Sequence, residues 1–352
     1  MEDNNVMGTG KIGKLLFKYA LPCVLSLLIS ALYNVVDQLF IGNSSIGYMG
    51  NVAMTVVFPL TIFVLAISLL MGDGASTYLA LGQGKKNTTN ARKAIGATIT
   101  LTVILGGLFT LFTLIFLEPL LGLLGASESS LPLAKEYGII ILSGIVFSFF
   151  TNVLNPIIRS DGAPIFAMIA QGSGAIINII LDPIMIYALN MGLSGAAYAT
   201  IIGQAVSTFL SLAYLFKTKT FKLQGKDFIL GFRYILDYLR LGISSFFIQV
   251  SLVAVTIASN QILKMCGAST VYGSDVPVAV FGITYKVFTI VVNIPIGIAL
   301  GGLPIMGYNY GAKKYDRVKK TNNLVLISSF IASALATIIF EADPMLIISM
   351  FG

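Results

Sequence analysis

The sequence predicts an all-α polytopic membrane protein, a two-lobe duplicated helical bundle, on three observations. Of its 352 residues 56% are hydrophobic and only 11% are charged, whereas soluble domains carry about 25% charged residues. The charges are set between long charge-free runs, each reaching the ~20 residues that cross a bilayer as a helix. These runs lack the period of two that strands of a membrane barrel would show. Finally, two basic connections repeat: GQGKKNTTNARKA at 82–94 and GAKKYDRVKKT at 311–321, offset by 227 when Gly84 is set on Gly311.

The elements follow in order. The stretch 19–72 holds one charge, Asp37, and is long enough for spans one and two; 94–117 and 137–158 are spans three and four. The 55 residues of 162–216 carry only Asp182 and supply spans five and six, while 241–263, 287–312 and 321–340 supply seven to nine. The domains expected are a six-span lobe over 1–216, a basic linker at 217–240 running into span seven, and a three-span lobe over 241–352. FLEPLLGLLG (116–125) and FEADPMLIISMFG (340–352) extend the repeat over three consecutive spans, so the lobes share one orientation about an axis along the membrane normal. The second copy reaches only its third span at Gly352. The chain is therefore expected to be C-terminally incomplete relative to a 6+6 architecture, with the faces of Gln249, Asn260 and Asn293 turned to lipid and vectorial transport lost.

Charge placement orients the helices. Nineteen of the 22 Lys and Arg residues fall at 11–18, 85–93, Arg159, 217–240 and 313–320, which are alternate connections. The positive-inside rule puts these, and the N-terminus, in the cytoplasm. The net charge of +7 thus sets topology rather than recruiting nucleic acid. Histidine is absent, which removes Ser-His and Cys-His catalysis and most zinc sites. Cys23 and Cys266 form no CxxC pattern and read as free thiols.

Charged groups inside spans are costly and mark function by default. Asp37 lies 19 residues beyond Lys18, and Asp182 lies 18 residues beyond Pro164, so both reach ~27–28 Å along outward-running helices. Asn178 shares the face of Asp182 at i−4, and Asn34 stands at i−3 from Asp37. Thr200, on span six, completes an oxygen-rich group suited to Na⁺ or, through a carboxylate, to a proton. The plainer readings are a headgroup-hydrated boundary residue for Asp37 and a helix-end carboxylate at a proline kink for Asp182. Asp73, in LLMGDGAS, marks either a close helix approach or a carboxylate lining a pathway. Arg159 reads as the ion-pair partner of Asp161, and Lys286 as a side chain snorkelling to the outer interface.

Five segments carry a resemblance: NVVDQLFIG, IRSDGAPIFAM, NIILDPIMIY, GAAYATIIGQ and GLPIMGYNYGAKKYDRVKK. Together they resemble the multidrug and toxic compound extrusion (MATE) family, in its bacterial branch that includes staphylococcal multidrug efflux proteins. The resemblance implies two six-helix lobes and cation/drug antiport by alternating access in the cell membrane. It implies a cation site at Asp37, Asn178, Asp182 and Thr200, with Asn155 lining the same lobe. Asn34, Asp73 and Gln249 are further pathway candidates; Gln249 stands where some members carry an acidic residue, which puts a second-lobe cation site in doubt. No cofactor is expected beyond Na⁺ or H⁺ as coupling ion. The partners expected are lipophilic or cationic small molecules and the bilayer, for a monomer that is not an enzyme. A lipid-linked saccharide flippase would want a cavity rich in Arg and Lys, and an intramembrane aspartyl protease would want a partner for the lone GDG at 72–74.

Overall fold

The computed structural model describes residues 3–44, 46–126, 128, 130–267, 269 and 275–342. Among these the chain is helical and without strands. A short α1 (Asp3–Thr9) leads into α2 (Ile12–Gly42), α3 (Tyr48–Gly84) and α4 (Thr89–Ile115). After the small α5 (Leu117–Leu123), α6 (Leu131–Ser143) and α7 (Ile145–Ser160) make one span bent by 50°. Next come α8 (Pro164–Pro183), α9 (Gly192–Tyr214), α10 (Phe232–Gly267), α11 (Asp275–Gly311) and α12 (Tyr315–Ala342). Among the described residues eight helices are long and apolar enough to cross a membrane, and the bent pair makes nine. Side chains such as Phe330, 74% exposed on α12, give these helices an apolar outer surface, which in a polytopic bundle is the face lipid covers.

The helices break where their sequence makes them break. Gly144 lies at the bend of the fourth span, and a Cβ there would strike Ile201 at 2.6 Å, so the missing side chain lets α9 come close. Pro183 has no N–H to return to the turn before it, and the helix slips into a π turn over Ile184–Ala188, a feature frequent at functional sites.

The duplication is written in the element boundaries. The 227-residue offset carries Tyr48–Gly84 onto Asp275–Gly311 end for end. It also carries Gly74 onto Gly301, and these two glycines do equivalent work. Gly74 lies against the backbone of Tyr238 on α10, and a Cβ on Gly301 would meet Ala20 on α2 at 2.5 Å. Gly84 and Gly311, also equivalent, face one another across the pseudo-twofold axis: the space a Cβ of Gly84 would take is filled by the Tyr308–Gly311 backbone, and that of Gly311 by Leu81. All these backbone contacts lie in the half of the molecule where the basic connections are, so the seam between α2–α3 and α10–α11 is closed at the basic end.

Two expectations are corrected here. Arg159 does not pair with Asp161; its Nη2 stands 3.8 Å from Asp73 Oδ1, because residues two apart at a helix end point to different sides. Asp161 instead anchors the linker, accepting hydrogen bonds from Tyr214 Oη (2.7 Å), Lys219 N (2.7 Å), Thr220 N (2.9 Å) and the Thr220 hydroxyl. Burial pushes the Asp161 carboxyl above its ordinary value, against the pull of those four donors. Asn293 does not face lipid; its Nδ2 reaches Leu27 O of α2 at 3.4 Å. The side chains of Asn260 and Lys286 lie outside the described part of the structure. Cys23 is buried and Cys266 exposed, both as free thiols.

Candidate cation site

Three helices of the first lobe build the site. The backbones of α8 and α9 touch because Gly174 and Gly203 face each other: a Cβ on Gly203 would sit 2.5 Å from Gly174 O, and one on Gly174 would overlap Gly203 O and the Ser207 hydroxyl. One turn beyond this contact, Asn178 Nδ2 lies 3.4 Å from Thr200 Oγ1 on α9 and 3.2 Å from Asp182 Oδ1. From α2, which packs along α8, comes Asp37, buried like Asp182. The four residues named from sequence thus converge, with Asp37 4%, Asn178 2% and Asp182 0% exposed.

What distinguishes the group is its unmet demand. Asp37 Oδ1, Asn178 Oδ1 and Asp182 Oδ2 are buried and accept no hydrogen bond within the described structure. An uncompensated buried ion costs several kcal/mol, and two carboxylates sharing one buried site repel unless a cation or a proton offsets their charge. The three oxygens fit either a hard monovalent cation, which takes oxygen ligands, or a proton held on one carboxyl.

A cavity of about 90 Å³ opens beside the group, lined among others by Ser30, Tyr33, Gln171, Asn178, Thr200 and Gln204. A cavity of that size has room for water. One turn beyond the aspartates, Tyr187 of the π turn donates its hydroxyl to Phe40 O at 2.6 Å and packs edge-on against the Phe40 ring, tying α2 to the end of α8. Tyr33, one turn before Asp37 on α2, also lines the cavity.

The remaining candidates sit elsewhere. Asn155 stands behind the cavity wall, donating to Ala167 O and Gln171 Oε1, both at 3.0 Å, while Gln171 donates to Ser30 Oγ on α2 at 3.0 Å. Asn34 is exposed and donates to Ser30 O at 2.7 Å. Asp73, 5% exposed, lies at the lobe seam, where Ser245 of α10 donates to its Oδ2 at 2.8 Å; a Cβ on the adjacent Gly72 would strike Asn152 O at 2.9 Å. Of the two readings of GDG, the close helix approach is the one these contacts show, with Asp73 seated in it. Gln249 is half-buried on α10 in the second lobe. Gln171, Tyr33 and Tyr187 were missed from sequence. The first two were findable, since Tyr33 is at i−4 from Asp37 and Gln171 lies two turns before Asn178 on the same face.

A duplicated bundle of membrane-crossing helices with a polar cavity and a buried acidic group inside one lobe fits a polytopic membrane transport protein. The chain belongs to the MatE family, whose model matches residues 22–184 and 248–352, and proteins of this family are transporters. It is similar to the multidrug export protein MepA of Staphylococcus haemolyticus (strain JCSC1435), 26% identical over 349 residues, covering 96% of this chain and 75% of that protein. MepA of Staphylococcus aureus (strain MSSA476) is 25% identical over 316 residues, covering 90% and 68%. Among solved structures, the outward-facing conformation of a multidrug resistance MATE family transporter of the MOP superfamily matches with a TM-score of 0.87 at 25% identity, over 97% of this chain and 74% of that one. A MATE structure in complex with MaD3S shares the fold, with a TM-score of 0.90 at 24% identity over 99% and 77%.

Proposed function

We propose that the chain is a secondary active antiporter, not an enzyme, that exports lipophilic and cationic compounds in exchange for Na⁺ or H⁺ by alternating access. It works in the cell membrane as a monomer with its N-terminus in the cytoplasm. Residues 1–216 act as one lobe, 217–240 as the cytoplasmic linker leading into span seven, and 241–352 as the second lobe. The observation that carries this reading is the trio of buried, unsatisfied oxygens on Asp37, Asn178 and Asp182. Such a group is stable only while a cation or proton occupies it. Loading and unloading it changes the repulsion between α2 and α8, and that change is what a coupled transporter has to transmit.

The export of drugs by the MepA relatives supports the substrate class. The neutral polar lining of the first-lobe cavity suits a lipophilic cation better than the pyrophosphate of a flippase substrate, which calls for Arg and Lys. The test is dye efflux from everted membrane vesicles under imposed Na⁺ and pH gradients, run with this chain and with a form extended to the full length of its relatives. Efflux that follows one gradient identifies the ion, and efflux indifferent to both removes the antiport reading.

A further inference from the structure

At the basic end, two stretches of chain cross from one lobe to the other. Residues 7–10 precede α2 of the first lobe yet are held by the second. Asn309 Nδ2 donates to Met7 O at 3.0 Å, Lys314 Nζ to Gly8 O at 2.9 Å, and Arg317 Nη2 to Met7 O at 3.1 Å and Gly10 O at 2.8 Å. Arg317 Nε also donates to Asn309 Oδ1 at 3.0 Å, bracing the fully buried amide. Gly8 fits because it has no Cβ, which would lie 3.0 Å from both Lys314 Nζ and the Tyr308 ring.

Residues 225–228 mirror this arrangement. They precede α10 of the second lobe and dock on α4 of the first. Asp227 Oδ2 pairs with Arg92 Nε at 2.8 Å, Thr100 Oγ1 donates to Phe228 O at 2.8 Å, and Gly96 leaves room for the Asp227 backbone. In each case the lead-in to one lobe's first span lies on the other lobe: residues 7–10 on the α11–α12 corner and residues 225–228 on α4.

The two receptors share neither repeat position nor chemistry. The repeat offset places Gly82, Asn87 and Asn90 where Asn309, Lys314 and Arg317 stand, and Lys319, Asn323 and Ile327 where Arg92, Gly96 and Thr100 stand. Each receptor fits its own lead-in segment: bare carbonyls meet a guanidinium and an amide, and a carboxylate meets an arginine.

We propose that residues 7–10 and 225–228 are paired clasps that hold the cytoplasmic end shut and release when it opens, with Arg317 as the positioning residue of the first. The proposal rests on the alternating-access reading above, but its test needs no transport. Arg317 spans three acceptors at once through a planar fork that lysine lacks.

Spin labels at Asn90→Cys on α4 and Lys320→Cys on α12, with Cys23 and Cys266 replaced by serine, report the separation of the lobes by pulsed electron resonance in liposomes. Arg317→Ala, which removes two hydrogen bonds to the lead-in, is expected to raise the population of a longer distance by at least about tenfold, the factor that one lost charge-assisted hydrogen bond corresponds to. Arg317→Lys should fall between it and the parent. If Arg317→Ala does not fold, Lys314→Ala, which removes only the bond to Gly8, decides with a smaller shift of the same sign. Unchanged distances in the folded variants overturn the clasps. A distance shift in a protein that fails the gradient-driven efflux assay leaves the clasps standing and removes the antiport reading instead.

Discussion

Replacing Gly203 by alanine tests whether the cation site depends on the touching backbones of α8 and α9. The new Cβ would lie 2.5 Å from Gly174 O, where ordinary contact begins at 3.4 Å. The helices must therefore part by about 0.9 Å, an overpacking that costs roughly 1–3 kcal/mol. The same movement stretches the 3.4 Å contact between Asn178 Nδ2 and Thr200 Oγ1 to about 4.3 Å, past hydrogen-bond range. Gly107→Ala supplies the control, since nothing lies within 4 Å of its added Cβ and alanine favours a helix by about 0.5–1 kcal/mol over glycine. Thermal unfolding in detergent should show Gly203→Ala melting lower than the parent and Gly107→Ala level or higher. Stabilisation by added coupling ion, which follows ion concentration over affinity, should shrink in the first variant alone. A Gly203→Ala protein with the parent's melting temperature and full ion response would refute the argument.

Three further outcomes are expected. Asp182→Asn should abolish ion-coupled efflux while leaving membrane insertion intact, and its combination with Asp37→Asn should be strongly non-additive, as residues sharing one cation are; additive losses in a double-mutant cycle would mean two separate sites. A cysteine at Asn43 should be labelled by an impermeant maleimide from outside the cell and one at Asn87 only after lysis; the reverse pattern would invert the topology. Asp161→Ala removes the acceptor for four donors from residues 214–220, so trypsin should cut the parent slowly and the variant readily at Lys217, Lys219 or Lys222, with equal cutting arguing against the anchor.

The helical bundle was legible because hydrophobic run length and charge placement are local properties of the chain. Asn178 and Asp182 were legible for a related reason: helical spacing sets them on one face, and counting residues from the basic end set Asp37 at a matching depth. Arg159 was misassigned because nearness in sequence is not nearness around a helix, and its carboxylate partner came from α3, 86 residues earlier. The lead-in segments were opaque for a different reason. Their carbonyls belong to every residue alike, so only folding shows that Arg317 rather than solvent meets Met7 and Gly10. Gln171 could have been read, being on the face of Asn178, but an uncharged amide in an apolar run draws less notice than an acid does.

The bond that Tyr187 makes to Phe40 has a consequence for movement. It ties the end of α2 to the π turn after α8, one turn beyond Asp37 and Asp182. Under the proposed antiport, any parting of those two helices at the acidic pair would have to pivot about that tie, as a door does about its pin.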